Sequence, residues 1–348
     1  MELGSNFELD ISSLHNVEDN IFEYLKPYFT FYTDSGRSAI RVLKKVIKPG
    51  VVLLPCYICD SIIQSFGETF SVVFYKIDED FSVDREDFER KLKDEVSVVY
   101  VMHYFGRLQD KGFLEYIKES KSQYGFTVIE DTTHSIFTKS KTIGDYCICS
   151  LRKWFPIMDG GVLYSDEELP GILMEGVLPK NPSIKLEAMI LKKLYIEGEL
   201  DNNGLYRRIF EEEEDKLIFQ QTVFQISLLS KCLLKYFSVG ELIRRRKENY
   251  RELQKEISKL GVELVLRGNE FVPLSCPIYI GNRDDFRNYL IKNNVFCAIH
   301  WPLEGTVLEG DERAMQMSGH IISLPIDQRY GREQMQYLIN VVKTYFKT

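Results

Sequence analysis

Four short apolar runs, separated by helix-forming stretches, constrain the fold of this chain most. They are residues 51–55 (VVLLP), 71–77 (SVVFYKI), 96–105 (VSVVYVMHYF) and 126–131 (FTVIED). Each is rich in β-branched or aromatic residues and lacks clear polar alternation, as in strands buried on both faces. Helix signals fill the gaps: residues 35–46, stopped by Pro49-Gly50; residues 59–66; residues 85–92, with Asp84 as N-cap; and residues 110–122. Such βαβ alternation predicts an α/β chain with a mostly parallel central sheet. In these sheets ligand-binding groups collect at the carboxyl ends of the strands. Pro55, His103 and Asp131 lie at or just past such ends.

Beyond this region the patterning changes. A long helical tract is predicted over residues 180–236, and its acidic run 211–215 (EEEED) reads as a solvated face. A domain break is expected near Ser238-Val239-Gly240. A helix over 241–260, ended by Gly261, then strands near Val262 and Pro277, a helix over 283–293, a strand over 295–301 (VFCAIHW) and a helix over 331–346 predict a smaller α/β domain. The expected division is a large domain, 1–238, and a small one, 239–348. A chain of 348 residues is long enough for both.

Charge and composition exclude several functions. A net charge of −8 argues against nucleic acid as the main partner. The basic run Arg244-Arg245-Arg246-Lys247 is short and reads as a solvated helix face, with contact to a diphosphate as the alternative. No apolar stretch reaches membrane-spanning length, and the opening MELGSNFELD lacks a signal-peptide core, so a cytoplasmic protein with no membrane partner is expected. The seven cysteines are odd in number and scattered, which suits reduced thiols. Cys56-x-x-Cys59 and Cys147-x-Cys149 are spaced too irregularly for a zinc site, so no metal is expected.

The chemistry concentrates in residues 128–166, VIEDTTHSIFTKSKTIGDYCICSLRKWFPIMDGGVLYSD. An apolar run ends in Asp131, with His134 three residues on. Ser150 and Lys153 form S-x-x-K, and Gly160-Gly161 follow. Each feature alone is common; the combination in this order suits pyridoxal phosphate. That cofactor needs a lysine for its aldehyde, an acid to keep its pyridine nitrogen protonated, and small polar groups for its phosphate. The lysine reacts only as the free amine, and burial or a neighbouring cation such as Arg152 favours that form. Ser150 would donate to the phosphate, and the glycine pair would allow a tight turn or close backbone approach.

Further blocks in the same order extend this reading. Ser35-Gly36-Arg37-Ser38-Ala39, the segment 52–57 (VLLPCY), His103-Tyr104-Phe105-Gly106, residues 129–134, Lys153 with Gly160-Gly161, and Ser323-Leu324-Pro325-Ile326 together resemble the DegT/DnrJ/StrS family over nearly the whole chain. That family comprises pyridoxal-phosphate-dependent aminotransferases of fold type I, acting mostly on nucleotide-linked keto-sugars. The resemblance implies that Ser35, Gly36 and Ser150 hold the phosphate, that Lys153 carries the cofactor and that Asp131 meets the ring nitrogen. It implies a cofactor contact for His134, with a structural role as the alternative. It places His300 and Trp301 beside the substrate cleft. It also implies glutamate as amino donor, a keto-sugar nucleotide as acceptor, amino-sugar or polysaccharide biosynthesis as the pathway, and a homodimer.

Several positions depart from the family pattern. Ser150 stands three residues before the lysine instead of five. Arg37 replaces a threonine and either pairs with the phosphate or faces solvent. Cys59 occupies the usual place of a ring-stacking aromatic, so that either Tyr57 or His103 covers the ring or the stacking is lost. Two other readings follow from these departures: a cofactor-binding regulator or degenerate subunit without turnover, and a sugar dehydratase. Dehydratases of the family carry histidine in place of the lysine, and Lys153 is present.

Overall fold

The computed structural model of the chain describes residues 1–10, 14–171, 177–266, 268 and 270–347. In chain order its strands are β1 (Leu3–Gly4), β2 (Phe29–Thr33), β3 (Val51–Pro55), β4 (Ser71–Tyr75), β5 (Val96–Met102), β6 (Thr127–Asp131), β7 (Tyr146–Ser150), β8 (Gly161–Ser165), β9 (Glu263–Leu264), β10 (Cys276–Tyr279), β11 (Val295–Phe296) and β12 (Ile321–Leu324). Seven of them form one sheet in the order β2-β8-β7-β6-β5-β3-β4. The pairs β3–β4, β3–β5 and β5–β6 are parallel, and β2–β8 is antiparallel. The four expected apolar runs supply β3, β4, β5 and β6. Their inward residues, such as Val52, Leu53, Val99, Tyr100 and Ile129, have no exposed surface. This is the mostly parallel α/β architecture that the alternation predicts.

Local signals set the helix ends. Asp84 caps the helix Arg85–Lys91 by accepting from the Asp87 amide, and Asp110 caps Lys111–Tyr124 through the amides of Gly112 and Phe113. Gly125 and Gly261 end their helices in the left-handed conformation that glycine adopts at little cost.

Some expectations are corrected. The run 295–301 contributes only Val295–Phe296 to a strand; Ala298 makes an isolated bridge to Ser323, and the rest loops. β5 ends at Met102, so His103 to Phe105 lie in a turn, with Phe105 at φ 53°. The tract 180–236 breaks into Ser183–Glu197, Gly204–Phe219 and Leu228–Leu233, because Gly198 turns left-handed and residues 220–227 run without helix. The basic run is not uniformly solvated. Arg244 pairs with Glu241 and Glu248 at the surface, whereas Arg246 is 1% exposed and donates to the Leu274 carbonyl at 2.6 Å and to Gln328 Oε1 at 2.9 Å.

The chain divides into two compact units, both discontinuous in sequence. The first comprises Asn6–Ile47 and Ile148–Gly240, with Met1. The second comprises Glu2–Ser5, Lys48–Cys147 and Glu241–Thr348. The expected division, 1–238 and 239–348, shares with these units only the break near Gly240. Within the second unit, β9, β10 and β12 form an antiparallel sheet, and β1 pairs with β11 in parallel.

Candidate active site

In the first unit the chain leaves β2 through a tight turn into the helix Gly36–Leu43. Ser35 is the N-cap, its hydroxyl accepting from the Ser38 amide at 3.2 Å. The turn is tied by Thr33 Oγ1, which donates to the Ser35 carbonyl at 2.8 Å, and by the Gly160 amide, which donates to the Asp34 carbonyl at 2.7 Å. Amides in a first helical turn lack intrahelical partners and carry the positive end of the helix dipole, so such a turn suits an anion.

Two glycines let Ser150 and the glycine pair close on this turn. A Cβ on Gly36 would stand 3.6 Å from Ser150 Cβ. A Cβ on Gly161 would stand 2.4 Å from the Ser35 carbonyl carbon, so only glycine fits there. Ser150 ends β7, and the 3-10 turn Leu151–Lys153 follows at once, pinned by the Leu151 amide to the Gly160 carbonyl at 3.0 Å. Ser35, Gly36, Ser150 and Gly161 are thus brought together, with Lys153 one turn beyond Ser150. Arg37 is half-buried on the first turn of the helix.

Asp159, which the sequence reading passed over, anchors the segment before the glycines. Its carboxylate accepts from Ser227 Oγ, from Ser230 Oγ at 2.5 Å and from the Ser227 amide at 2.7 Å. Burial pushes its carboxyl up despite these donors.

In the second unit, consecutive acids at the end of β6 point to opposite faces, as strand geometry requires. Asp131 accepts from the Tyr100 hydroxyl at 2.8 Å and from the Thr133 amide at 2.8 Å. Burial and Asp131 hold the Tyr100 phenol well above its ordinary pKa, so it remains a donor. Glu130 is fully buried on the other face. It accepts from the amides of Thr142, Ile143 and Gly144 at 2.8–3.0 Å and from His103 Nε2 at 3.1 Å. Burial alone would raise the Glu130 carboxyl, but His103 and these amides hold it below the usual carboxylate range.

His103 is likewise buried. Its Nδ1 accepts from the Gln109 amide at 3.0 Å, so the proton sits on Nε2, facing Glu130. Both ring nitrogens therefore have protein partners.

A cluster of rings lies in the same unit. Tyr57 is buried, its hydroxyl donates to the His300 carbonyl, and its ring packs on Trp301 at 5.6 Å. His134 Nδ1 accepts from the Phe105 amide at 3.3 Å, and its ring stacks on Trp301 at 5.6 Å and 19°. Trp301 is 9% exposed. His300 pairs through Nδ1 with Ser323 Oγ at 2.9 Å. Tyr57, His134, His300 and Trp301 are thus brought together, with His103 held separately on Glu130.

Tyr100 and Glu130 also escaped the sequence reading. Both carried a signal: a tyrosine and a carboxylate inside apolar runs need buried hydrogen-bond partners. Among the described residues no group of three or more histidine, cysteine, aspartate or glutamate side chains could hold a metal ion, and the seven cysteines form no disulfide.

No family model and no curated protein matches the chain. Solved structures do. Spr1654 of Streptococcus pneumoniae, named as a sugar aminotransferase and solved in its PMP form, aligns over 97% of this chain and 94% of its own, with a TM-score of 0.67 at 13% identity. DesV of S. venezuelae, solved with a ketimine intermediate, covers 96% of this chain and 91% of its own, with a TM-score of 0.67 at 16% identity. A DegT DnrJ EryC1 StrS aminotransferase from Brucella abortus covers 94% and 88%, with a TM-score of 0.63 at 15% identity. Across nearly its whole length, the chain has the fold of these aminotransferases.

Proposed function

We propose that the chain is a pyridoxal-phosphate-dependent aminotransferase that moves an amino group from an amino acid, glutamate by the resemblance, to a nucleotide-linked keto-sugar. The observation that carries this reading is the Ser35-Gly36 turn at a helix N-terminus, packed against Ser150 and Gly161 one turn before Lys153. The residues present fit the cofactor. Ser35, Ser150 and the first amides of the helix Gly36–Leu43 suit its phosphate, and Arg37 adds a charge beside them. Asp131, fixed by Tyr100 and the Thr133 amide, suits its ring nitrogen. The ring cluster of Tyr57, His134, His300 and Trp301 is the chain's candidate for lining the cofactor ring and the substrate.

When bound, pyridoxal phosphate supplies an electron sink for bonds at the amino-bearing carbon. Lys153 is the residue that would hold the aldehyde and that an amino donor would displace. As the free amine, its Nζ then takes and returns the proton at the substrate's amino-bearing carbon. The Asp131 carboxylate would keep the proton on the pyridine nitrogen.

The same reading puts the protein in amino-sugar or polysaccharide biosynthesis and as a homodimer, and a cytoplasmic location goes with it. No helix among the described residues is long and apolar enough to cross a membrane.

The test is an absorbance spectrum of the purified protein with pyridoxal phosphate, before and after borohydride, beside Lys153→Ala. The expected result is a near-visible band that borohydride removes, a cofactor mass fixed at Lys153, and neither in the variant. Glutamate should then bleach the band, and a keto-sugar nucleotide should restore it. A band that glutamate leaves unchanged would instead favour a cofactor-binding protein without turnover, and no band at all would overturn the cofactor assignment.

A further inference from the structure

The acidic run 211–215 differs from a solvated face at two positions, Glu213 and Glu214. Glu211, Glu212 and Asp215 are exposed, and Glu213 pairs with Lys216, one turn along the same helix, at 2.7 Å. Glu214, its side chain 41% exposed, instead reaches two cations on other elements. Its Oε1 accepts from Arg152 Nη1 at 2.6 Å and from Lys185 Nζ at 3.0 Å. Arg152 belongs to the 3-10 turn Leu151–Lys153, and Lys185 to the helix Ser183–Glu197. One carboxylate on the helix Gly204–Phe219 therefore holds the turn that carries Lys153.

A parallel tether holds the Ser35 turn. The Asp34 carboxylate, 1% exposed, accepts from Gln220 Nε2 at 2.8 Å and from Lys180 Nζ at 3.3 Å. Asp34, Arg152, Asp159, Lys180, Lys185 and Glu213 line one small cleft. In each tether the charged residue stands one position before a proposed cofactor-binding residue: Arg152 before Lys153, and Asp34 before Ser35.

The burial of the two cations gives these contacts weight. Burial and the Arg152 charge push the Lys185 amine down to about 8. The Glu214 carboxyl, which burial alone would raise, is held well below its ordinary range by Arg152 and Lys185.

We infer that Glu214 is a positioning residue, which through Arg152 fixes the turn presenting Lys153 to its reaction. This rests on the aminotransferase reading for the role of Lys153, but the contact itself can be tested without the cofactor.

The experiment labels the full-length, cofactor-free protein with a water-soluble amine-acylating reagent. It reads the rate at Lys153 relative to Lys111, whose side chain is 89% exposed, by peptide mass. Glu214→Gln frees the turn and leaves Arg152 and Lys185 without their counter-charge. Both effects favour a reactive amine, so the ratio should rise about threefold or more. Glu211→Gln, at an exposed position of the same helix, should leave it unchanged, and Glu214→Asp should return it most of the way. The double variant Arg152→Lys with Glu214→Gln, which keeps the cation but has already lost the fork, should go no further than Glu214→Gln alone, because both changes break one contact.

A ratio in Glu214→Gln within about 1.5-fold of wild type, or additive effects in the double variant, would overturn the inference. Should Glu214→Gln fail to fold, Arg152→Lys keeps the charge, loses the planar fork and decides the same question. Borohydride trapping of pyridoxal phosphate in the wild type runs as a separate arm. A missing adduct there overturns the cofactor reading, while the labelling ratio still decides the role of Glu214.

Discussion

Replacing Glu130 by glutamine is expected to be costly although it changes only one atom. Both carboxylate oxygens accept, and every group around them donates: three backbone amides and His103 Nε2. Glutamine keeps one acceptor and introduces an NH2. If its oxygen takes the place where the amides of Thr142, Ile143 and Gly144 converge, the NH2 faces the His103 N–H. Moving the imidazole proton to Nδ1 does not help, because it then faces the Gln109 amide at 3.0 Å. One buried donor–donor opposition remains, worth about 1–3 kcal/mol. The surviving amide bonds also lose charge assistance, which roughly halves them, for a total near 3–5 kcal/mol.

Two measurements read this cost. Denaturant unfolding should show it as a lowered midpoint, and hydrogen exchange should show the amides of residues 142–144 losing protection by about a hundredfold or more. The pH dependence has a definite sign. The folded carboxyl lies below its ordinary 4.5, so its contribution is present above that pH and is lost as pH falls through the folded value. The gap between wild type and Glu130→Gln should be full at neutral pH and narrow only in acid. A variant within about 1 kcal/mol of wild type, with unchanged exchange at 142–144, would refute the reasoning.

Three further outcomes are expected. Gly161→Ala places a methyl 2.4 Å from the Ser35 carbonyl carbon and must displace the turn, so affinity for pyridoxal phosphate should fall about tenfold or more in an absorbance titration. Tyr100→Phe removes the 2.8 Å donor to buried Asp131; thermal unfolding should show a loss of about 1–3 kcal/mol, and the pH midpoint of any cofactor band should move. Gly106→Ala combines φ +109° with a contact of 2.2 Å to the Val272 carbonyl oxygen, so the yield of folded protein should drop sharply, as seen by size-exclusion chromatography.

Much of the fold was legible because continuous apolar runs have few homes. VVLLP, SVVFY, VSVVYVM and TVIED became parallel strands, and Asp84, Asp110, Gly125 and Gly261 marked helix ends through local hydrogen bonding and φ. Phe29–Thr33 and Gly161–Ser165 were passed over; their antiparallel pairing joins residues far apart in sequence, and neither carries a local turn signal. The run 295–301 looked like a strand by composition, but its tail packs rings instead of extending a sheet. In the site, Lys153, Ser150 and Asp131 stood out by residue type and spacing. Glu130, Asp159 and Glu214 did not, because their meaning lies in what the fold brings to them: amides of residues 142–144, two serines near 230, and a guanidinium sixty-two residues away.

The discontinuity of the second unit has a consequence for how the chain is made. The turn at Gly106 closes only when Val272 arrives: the Leu274 amide donates to the Phe105 carbonyl at 3.1 Å, and Thr138 Oγ1 donates to the Gly106 carbonyl at 2.7 Å while accepting from the Val272 amide at 2.8 Å. On the ribosome these partners emerge 272 − 106 = 166 residues later, a delay of about 8–33 s at ordinary elongation rates. Throughout that interval the apolar strands Val51–Pro55, Val96–Met102 and Thr127–Asp131 exist without their closing segment. Nascent chains halted before residue 270 should therefore draw holdase chaperones, and those released past residue 330 should not.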